Sequence, residues 1–258
     1  MRLSTKTQWE ERWKNGGKSK LAFDPCQPLF RDTNRILQRL VPKSDKGKFL
    51  EVGAYPGKYL WYFYKYFGYE PWGVEYVESC ASRAQDMLDS HKVPAKIIAD
   101  DFFNINPGDH SIDGGWDLVA SFGFVEHFEN PTIAVSKHLE VAKPGGLVVI
   151  SVPNHAGWNG SIMRVVDKEK WSQHNCMALS DLVSAFDNAG NNKILFAGYV
   201  GHIGFWNVCV YENAKRKMGK WYPVLRAPLW IVEKIGRLIV PNNAKSSPEM
   251  ILIARKQE

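Results

Sequence analysis

Residues 49–57 have the sequence FLEVGAYPG, an apolar run that ends in a turn with two glycines. The run begins at Lys48 and predicts a buried strand, and the aromatic residues after Lys58 predict a helix. Gly53 lets the backbone bend sharply and lets a ligand approach it closely, and the helix start offers unpaired N–H groups. A simple packing turn would show the same two glycines. The order of strand, turn and helix favours a ligand site at the end of the strand.

The alternation of strand and helix signals continues along the chain. Further strands are predicted at 71–75, 95–99, 116–122, 147–152, 193–199, 205–211 and 250–254. Helical patterns separate most of the early strands, and parallel strands need such crossover connections. The sequence therefore predicts a mostly parallel sheet that is covered by helices on both faces.

Residues 1–45 precede the first strand and carry two helical patterns, the second at 29–40. Trp9 and Trp13 are four residues apart, so they share one face of the first helix. They can form a lid over a bound ligand, or they can simply dock on the sheet. We assign residues 1–45 to an N-terminal helical lid segment and residues 46–258 to the α/β domain.

Two later segments differ from the regular pattern. Residues 153–180 begin as an irregular insert after strand 5, and an irregular segment that long is usually functional. Residues 221–240 have an apolar helical pattern that Pro223 and Pro228 are predicted to break. This segment can lie on a membrane surface, cover a substrate pocket, form a dimer contact or pack in the core.

The composition is that of a globular protein. The chain has 258 residues, of which 45% are apolar and 23% charged. The net charge is +6, and the basic residues form no run of five, so we expect no nucleic-acid partner. The four cysteines form no CxxC pair, which indicates reduced thiols. No segment has the pattern of a secretion signal or a membrane span, so we expect a cytoplasmic protein. The oligomeric state stays open.

Acidic residues follow the next two strands at the same edge of the sheet. Glu75 comes 22 residues after Gly53, and its two carboxylate oxygens can accept both hydroxyls of a ribose. Asp101, or alternatively Asp100, can accept from the amino group of adenine, and Phe102 can pack on the ring. Each acid alone is typical of a solvated loop, but the series predicts a nucleoside site.

Together these features resemble the class I methyltransferases that use S-adenosylmethionine. The motifs that carry the resemblance are EVGAYPG at 51–57, Glu75, Asp101, WDLV at 116–119, EH at 126–127 and KPGG at 143–146. They cover residues 48 to about 155. The resemblance implies a Rossmann-like α/β fold with a seven-stranded, mostly parallel sheet flanked by helices, an N-terminal helical lid and an insert after strand 5. It also implies S-adenosylmethionine as the cofactor.

The resemblance places the donor site at the strand ends. The residues expected to bind the cofactor are Glu51, Gly53, Ala54, Tyr55, Gly57, Glu75, Tyr76, Asp100, Asp101, Phe102, Phe122 and Gly123. Phe122 and Gly123 are expected to line the methionine arm. Tyr55 stands where the family often has glycine, so we expect a donor pocket of a different shape.

Three histidines are candidates for the catalytic base that removes a proton from the acceptor. His127 follows the fourth strand, and His155 and His174 flank the insert, which lines the acceptor pocket in relatives. Histidine suits proton transfer near neutral pH, but His127 can instead bond the donor or a helix start. Some quinone-pathway relatives bind a metal through an acid three positions before the EH pair. Gly123 stands there, so we expect no metal site.

The motifs predict an enzyme that methylates a small molecule, and we favour an oxygen acceptor. Methylation of nitrogen or carbon in a small molecule, or in a lipid or polysaccharide precursor, is an alternative. A protein that binds the donor without catalysis is another. The missing third glycine and the KPGG turn disfavour a nicotinamide-dependent dehydrogenase. The acceptor and its attacking atom are left open.

Overall fold

A computed structural model describes residues 2–14, 21–23, 27–204 and 219–258. The strands are β1 (Lys48–Val52), β2 (Glu70–Glu75), β3 (Lys96–Ala99), β4 (Trp116–Phe122), β5 (Ala142–Pro153), β6 (Asn192–Val200) and β7 (Glu249–Lys256). They form one sheet in the order β3-β2-β1-β4-β5-β7-β6. Strands β1 to β5 are parallel, and β7 runs antiparallel to both β5 and β6. The predicted seven-stranded, mostly parallel sheet is confirmed. The strand predicted at 205–211 lies outside the described residues.

Helices follow most of the parallel strands. Their bounds are α1 (Lys6–Lys14), α2 (Pro28–Leu40), α3 (Lys58–Phe67), α4 (Glu78–Ser90), α5 (Pro131–Val141), α6 (Trp158–Val166), α7 (Lys168–Ser172), α8 (Leu179–Asp187) and α9 (Tyr222–Ile239). Short 3-10 turns follow β3 at Phe102–Asn104 and β4 at Val125–His127. These turns direct the chain away from the sheet directly after the predicted site residues.

The sheet is buried on both faces, and successive residues of β1 belong to opposite cores. Leu50 and Val52 pack in a cluster with residues of α5 and α8, whereas Phe49 packs in a cluster with residues of α2 and α3. Strand order reverses at β1, because β2 lies on one side of it and β4 on the other. Such a reversal leaves a crevice beyond the carboxyl ends of the strands, where ligands bind in open α/β sheets.

The insert at 153–180 is more regular than the sequence predicts. Helices α6 and α7 occupy much of it, so the prediction of an irregular segment was wrong there. Asn159 and Met163 are buried four residues apart on one side of α6. A Cβ atom at Gly160 would overlap the carbonyl oxygen of His155. The buried side of α6 thus carries Asn159 and Gly160 beside Met163, so its burial does not follow an apolar stripe in the sequence.

The segment at 221–240 forms one continuous helix, α9, and the predicted break was wrong. Pro223 lies in the first turn, where the missing N–H costs no helical hydrogen bond. Pro228 lies inside α9 and removes one such bond, and the helix nevertheless continues to Ile239. None of the helices in the described part of the chain is both long enough and apolar enough to cross a membrane.

Candidate active site

A cleft opens at the carboxyl ends of β1 to β4, where the strand order reverses. It encloses about 830 Å³, including the part that is open to solvent. Its lining residues are Arg2, Ser4, Trp9, Trp13, Val52, Gly53, Tyr55, Val74, Glu75, Tyr76, Asp100, Asp101, Phe102, Phe122, Gly123, Phe124, His127 and Phe128. Most of the residues expected to bind a cofactor are in this set, and Glu51, Ala54 and Gly57 are not.

The loop after β1 is open on the side of Gly53. Gly53 has a φ of 74°, and a Cβ atom built there would meet no atom within 4 Å. The N–H of Gly57 donates to the carbonyl of Ala54 at 2.6 Å, which closes the turn. Glu51 is buried and accepts the N–H of Leu60 at 3.1 Å, and burial raises the pKa of its carboxyl well above the usual value. Glu51, Ala54 and Gly57 therefore shape the loop.

Glu75, at the end of β2, accepts one backbone N–H on each carboxylate oxygen. The donors are Tyr55 at 3.2 Å and Val77 at 3.0 Å. The N–H of Tyr76 also contributes to the pKa of this carboxyl, and since a carboxylate has about four accepting positions, it can still take a further donor. Burial raises the pKa of Glu75, and the N–H groups of Val77 and Tyr55 oppose that rise because they stabilise the charged form. Glu75 thus joins the loop after β1 to the end of β2 and still offers accepting positions to the cleft.

The end of β3 carries two acids in different surroundings. Asp100 accepts the N–H of Asp101 at 2.6 Å and the side-chain amide of Asn104 at 2.9 Å. Asp101 accepts the N–H of Phe103 at 3.0 Å and also pairs with the guanidinium of Arg2. Both acids line the cleft. Sequence reasoning missed Arg2, because nothing in the pattern of the first residues brings it to the end of β3.

The N-terminal segment, residues 2–14, adds a layer to the cleft. The N–H of Leu3 donates to the carbonyl of His127 at 2.8 Å. Trp9 stands edge-on to the His127 ring, with 4.8 Å between ring centres, and Trp13 stands edge-on to Tyr55 at 5.0 Å. The segment therefore touches the loops that follow both β4 and β1. Its action as a lid stays a prediction.

The three predicted histidines lie together, and we call them the histidine cluster. Ring centres are 4.5 Å apart between His127 and His174 and 4.9 Å apart between His155 and His174. His127 lines the cleft, and the other two do not. Burial lowers the pKa of His155 to about 3 and that of His174 to about 4, and it holds the pKa of His127 well below its usual value. All three rings are therefore neutral at physiological pH.

Backbone carbonyls fix the tautomer of two rings in the cluster. Nδ1 of His127 lies 2.8 Å from the carbonyl oxygen of Gln173, and Nδ1 of His174 lies 2.6 Å from that of Lys170. A carbonyl only accepts, so Nδ1 carries the hydrogen in both rings and Nε2 keeps a lone pair. Neither ring nitrogen of His155 has a hydrogen-bond partner among the described residues. His127 is thus a cleft residue with one accepting nitrogen.

Two further carboxyl groups, the buried Glu126 and the half-buried Glu249, have raised pKa values, and neither was predicted as a site residue. Oε1 of Glu126 is 3.7 Å from Nε2 of His127, and Oε2 has no partner in the described part of the chain. Glu249, the first residue of β7, accepts the hydroxyl of Ser151 at 2.9 Å. Burial raises the pKa of Glu126 to about 8 and that of Glu249 to about 7. The EH motif contains Glu126, but no local signal marks Glu249.

One subset of these groups has the donor atoms for a cation. Glu126, His127 and His174 each offer one ligand atom, and these atoms lie within 4.8 Å of one another. His174 comes from the insert, so the spacing around Gly123 could not reveal it. The positive charge of Arg12 contributes to the low pKa of both histidines and also opposes a cation beside them. The absence of a metal stays a prediction.

Residues 27–194 match the model of a family described as a methyltransferase domain, and this match covers more than half of the chain. The chain belongs to this family. It is a class I methyltransferase, and its methyl donor is S-adenosylmethionine. A search of curated proteins finds no matching sequence.

Solved structures share the fold of this methyltransferase at low sequence identity. Phosphoethanolamine N-methyltransferase 2 of Haemonchus contortus, solved with S-adenosylmethionine, is 16% identical at a TM-score of 0.62, over 98% of this chain and 58% of that chain. Geranyl diphosphate C-methyltransferase of Streptomyces coelicolor A3(2) is 11% identical with a TM-score of 0.59, and the match covers 89% of this chain and 79% of that chain. Cyclopropane synthase MmaA2 of Mycobacterium tuberculosis is 11% identical with a TM-score of 0.61, and the match covers 88% of this chain and 84% of that chain. At such identities the likeness concerns the fold alone.

The cleft of the methyltransferase has features that suit this donor. The open side of Gly53 allows close approach to the backbone. Glu75 retains accepting positions that match the two hydroxyls of a ribose. Phe102 adds an aromatic ring to the lining beside Asp100 and Asp101. When bound, S-adenosylmethionine supplies an electrophilic methyl group on a positively charged sulfur.

Proposed function

We propose that this methyltransferase methylates an oxygen atom of a small-molecule acceptor and that His127 receives the proton of that oxygen. The observation that carries the proposal is the state of the His127 ring. It lines the cleft, its Nδ1–H is bonded to the carbonyl of Gln173, and its Nε2 keeps a lone pair. A hydroxyl acceptor needs such a group, because its oxygen gains a bond to carbon and must lose its proton.

The donor is proposed to lie along the ends of β1 to β4. Glu75 accepts the ribose hydroxyls, and Asp101 or Asp100 accepts the amino group of adenine. The pairing of Asp101 with Arg2 leaves adenine to share that carboxylate or to displace the guanidinium. The methionine arm then passes Gly123 on the way to the acceptor.

The step at the acceptor is a displacement in which the oxygen bonds the methyl carbon while the carbon–sulfur bond breaks. The sulfur keeps the electron pair, and the proton of the acceptor moves to Nε2 of His127. Alignment of the two reacting groups lowers most of the barrier. Glu126, with Oε1 at 3.7 Å from that nitrogen, stabilises the positive imidazolium when its own carboxyl is ionised.

A small acceptor is supported by the layer over the cleft. Leu3 and Trp9 both contact His127, so the N-terminal segment covers one approach to the proposed base. The solved neighbours include a phosphoethanolamine N-methyltransferase and a geranyl diphosphate C-methyltransferase. Nitrogen and carbon acceptors are therefore the alternatives that an experiment must separate from oxygen.

The test is turnover of a panel of phenols, alcohols, carboxylates and amines by the native enzyme and by His127→Ala, with NMR locating the new methyl group. We expect an O-methyl product, and a turnover number about a hundredfold to ten-thousandfold lower in the variant at unchanged affinity for S-adenosylmethionine. His91→Ala removes an exposed histidine and should keep native turnover. A methyl group on nitrogen or carbon, or equal turnover by His127→Ala, would overturn the proposal.

A further inference from the structure

Helix α9 has an apolar face that points into solvent. We call it the docking face and define it as Val224, Ile231, Ile235, Leu238 and Ile239, which recur at the spacing of one helix side. Leu238 is 78% exposed and Ile239 is 74% exposed. A surface helix ordinarily buries such a stripe against the core. A contiguous exposed apolar face on a helix indicates a binding surface.

The opposite side of α9 packs on the protein and is less apolar. Gly236 is buried there, and a Cβ atom at this position would overlap Cγ2 of Ile203. Glu233 and Arg237 are half-buried on the same side. The close glycine contact holds the rotation of the helix, because a larger residue at this position would force Ile203 to move. The packing of α9 therefore keeps the docking face turned toward solvent.

Positive charge is concentrated in the same part of the sequence. Residues 205–240 contain seven Lys and Arg against two Glu, a net charge of +5, whereas the whole chain has +6. Arg226 is exposed on α9, and the ammonium group of Lys234 lies 5.3 Å from the ring centre of Trp230. One seventh of the sequence thus carries nearly all of the excess charge, and α9 itself has Arg226, Lys234 and Arg237 against Glu233.

We propose that α9 docks in the plane of an anionic lipid membrane. An apolar face inserts between lipid headgroups, and cations beside it attract acidic lipids. Trp221 and Trp230 are half-exposed or more, and tryptophan favours the boundary between water and acyl chains. A second copy of the chain fits less well, because two docking faces in contact would bring together two α9 helices that each carry a net charge of +2.

The experiment is flotation of the full chain with vesicles of phosphatidylcholine alone and of phosphatidylcholine with phosphatidylglycerol. We expect the native chain to float with the anionic vesicles and to remain in the bottom fraction with the neutral ones. The pair Ile235→Glu and Leu238→Glu should lower the partition coefficient at least about tenfold, because two apolar side chains no longer insert. The pair Arg226→Glu and Lys234→Glu should lower it by a similar factor at low salt and by less at high salt.

The matched control is Ile133→Glu, which places the same charge at an exposed apolar residue of α5. It should float like the native chain. Thermal unfolding and S-adenosylmethionine binding show whether each variant is folded, and flotation needs no turnover. Native protein that stays in the bottom fraction with both lipids would overturn the proposal. So would a native dimer, seen by sedimentation velocity without lipid, that Ile235→Glu and Leu238→Glu dissociate.

Discussion

At the end of β2, Glu75 accepts two backbone N–H groups, whereas just after β4, Glu126 leaves one carboxyl oxygen without a partner among the described residues. Both side chains are buried, and burial raises the pKa of each. Backbone N–H groups favour the ionised form of Glu75. Glu126 has too few donors to offset its burial, so its pKa reaches about 8. The surroundings of Glu75 favour hydrogen bonds to a neutral ligand. Those of Glu126 favour a carboxyl that takes up and releases a proton.

The two regions also differ in how the chain assembles them. Most residues of the donor region follow β1, β2 and β3, which are neighbours in both sequence and space. The histidine cluster and its acids combine the turn after β4, the insert and the start of β7. The first region is local and repeats one strand-end pattern, while the second requires three distant segments to meet.

The largest effect that would sharpen this contrast is expected for Glu75→Ala. Loss of two hydrogen bonds to a charged acceptor costs about 3 kcal/mol or more, so S-adenosylmethionine should bind about a hundredfold more weakly. Isothermal titration calorimetry measures the change. Glu78→Ala, which removes an exposed acid at the start of α4, should bind like the native protein. Native affinity in Glu75→Ala would show that the donor does not use this carboxylate.

Glu249→Gln tests the proton-holding region through stability. The pKa of Glu249 is raised by burial from about 4.5 to about 7, so between these values the folded chain keeps a proton that the unfolded chain has lost. Stability from this group is therefore present below about pH 4.5 and is lost as pH rises to about 7. Urea unfolding should show the variant more stable than native at about pH 8, by up to about 3 kcal/mol, and similar near pH 4.5. Exposed Glu169→Gln should show no such difference. If Glu249→Gln also has native stability at about pH 8, the carboxyl of Glu249 does not hold a proton near neutral pH.

Glu126→Gln should change the pH dependence of turnover. If ionised Glu126 stabilises the imidazolium of His127, turnover rises with pH up to about 8, by about tenfold per pH unit at lower values. Glutamine cannot ionise, so turnover of the variant should not change with pH and should stay at the low value that the native enzyme has below about pH 8. Exposed Glu129→Gln provides the control with a native profile. A profile that keeps its slope in Glu126→Gln would assign the ionisation to another group.

The smallest effect is expected for Trp13→Ala. The ring of Trp13 stands edge-on to Tyr55, and such a pair contributes about 0.5–1.5 kcal/mol. S-adenosylmethionine should therefore bind about three- to tenfold more weakly if the N-terminal segment closes over the donor. Trp221→Ala removes an exposed tryptophan that directly precedes α9 and should leave the affinity unchanged. Equal affinities for both variants would reject the lid and favour simple docking of α1.

The donor region could be predicted from the sequence because its signals are local. Gly53 marks a tight turn, and Glu75 follows a strand of recognisable length. Arg2 and Glu249 could not be predicted, because their importance comes from tertiary contacts with β3 and with Ser151. The three histidines were identified as candidates from their positions, but their shared burial and low pKa values required the fold.

Asn154 connects the end of β5 to the chain that follows α9. Its side-chain amide donates to the carbonyl of Ala244 at 2.9 Å, and its backbone N–H donates to that of Pro248 at 2.9 Å. The N–H of Trp158 donates to the carbonyl of Lys245 at 2.8 Å. These bonds break only when the two segments separate, and hydrogen–deuterium exchange at a backbone amide measures such openings. Trp158 lies in the insert, beside the catalytic region. The exchange rate of its amide therefore shows whether a contact made by α9 loosens or tightens that region.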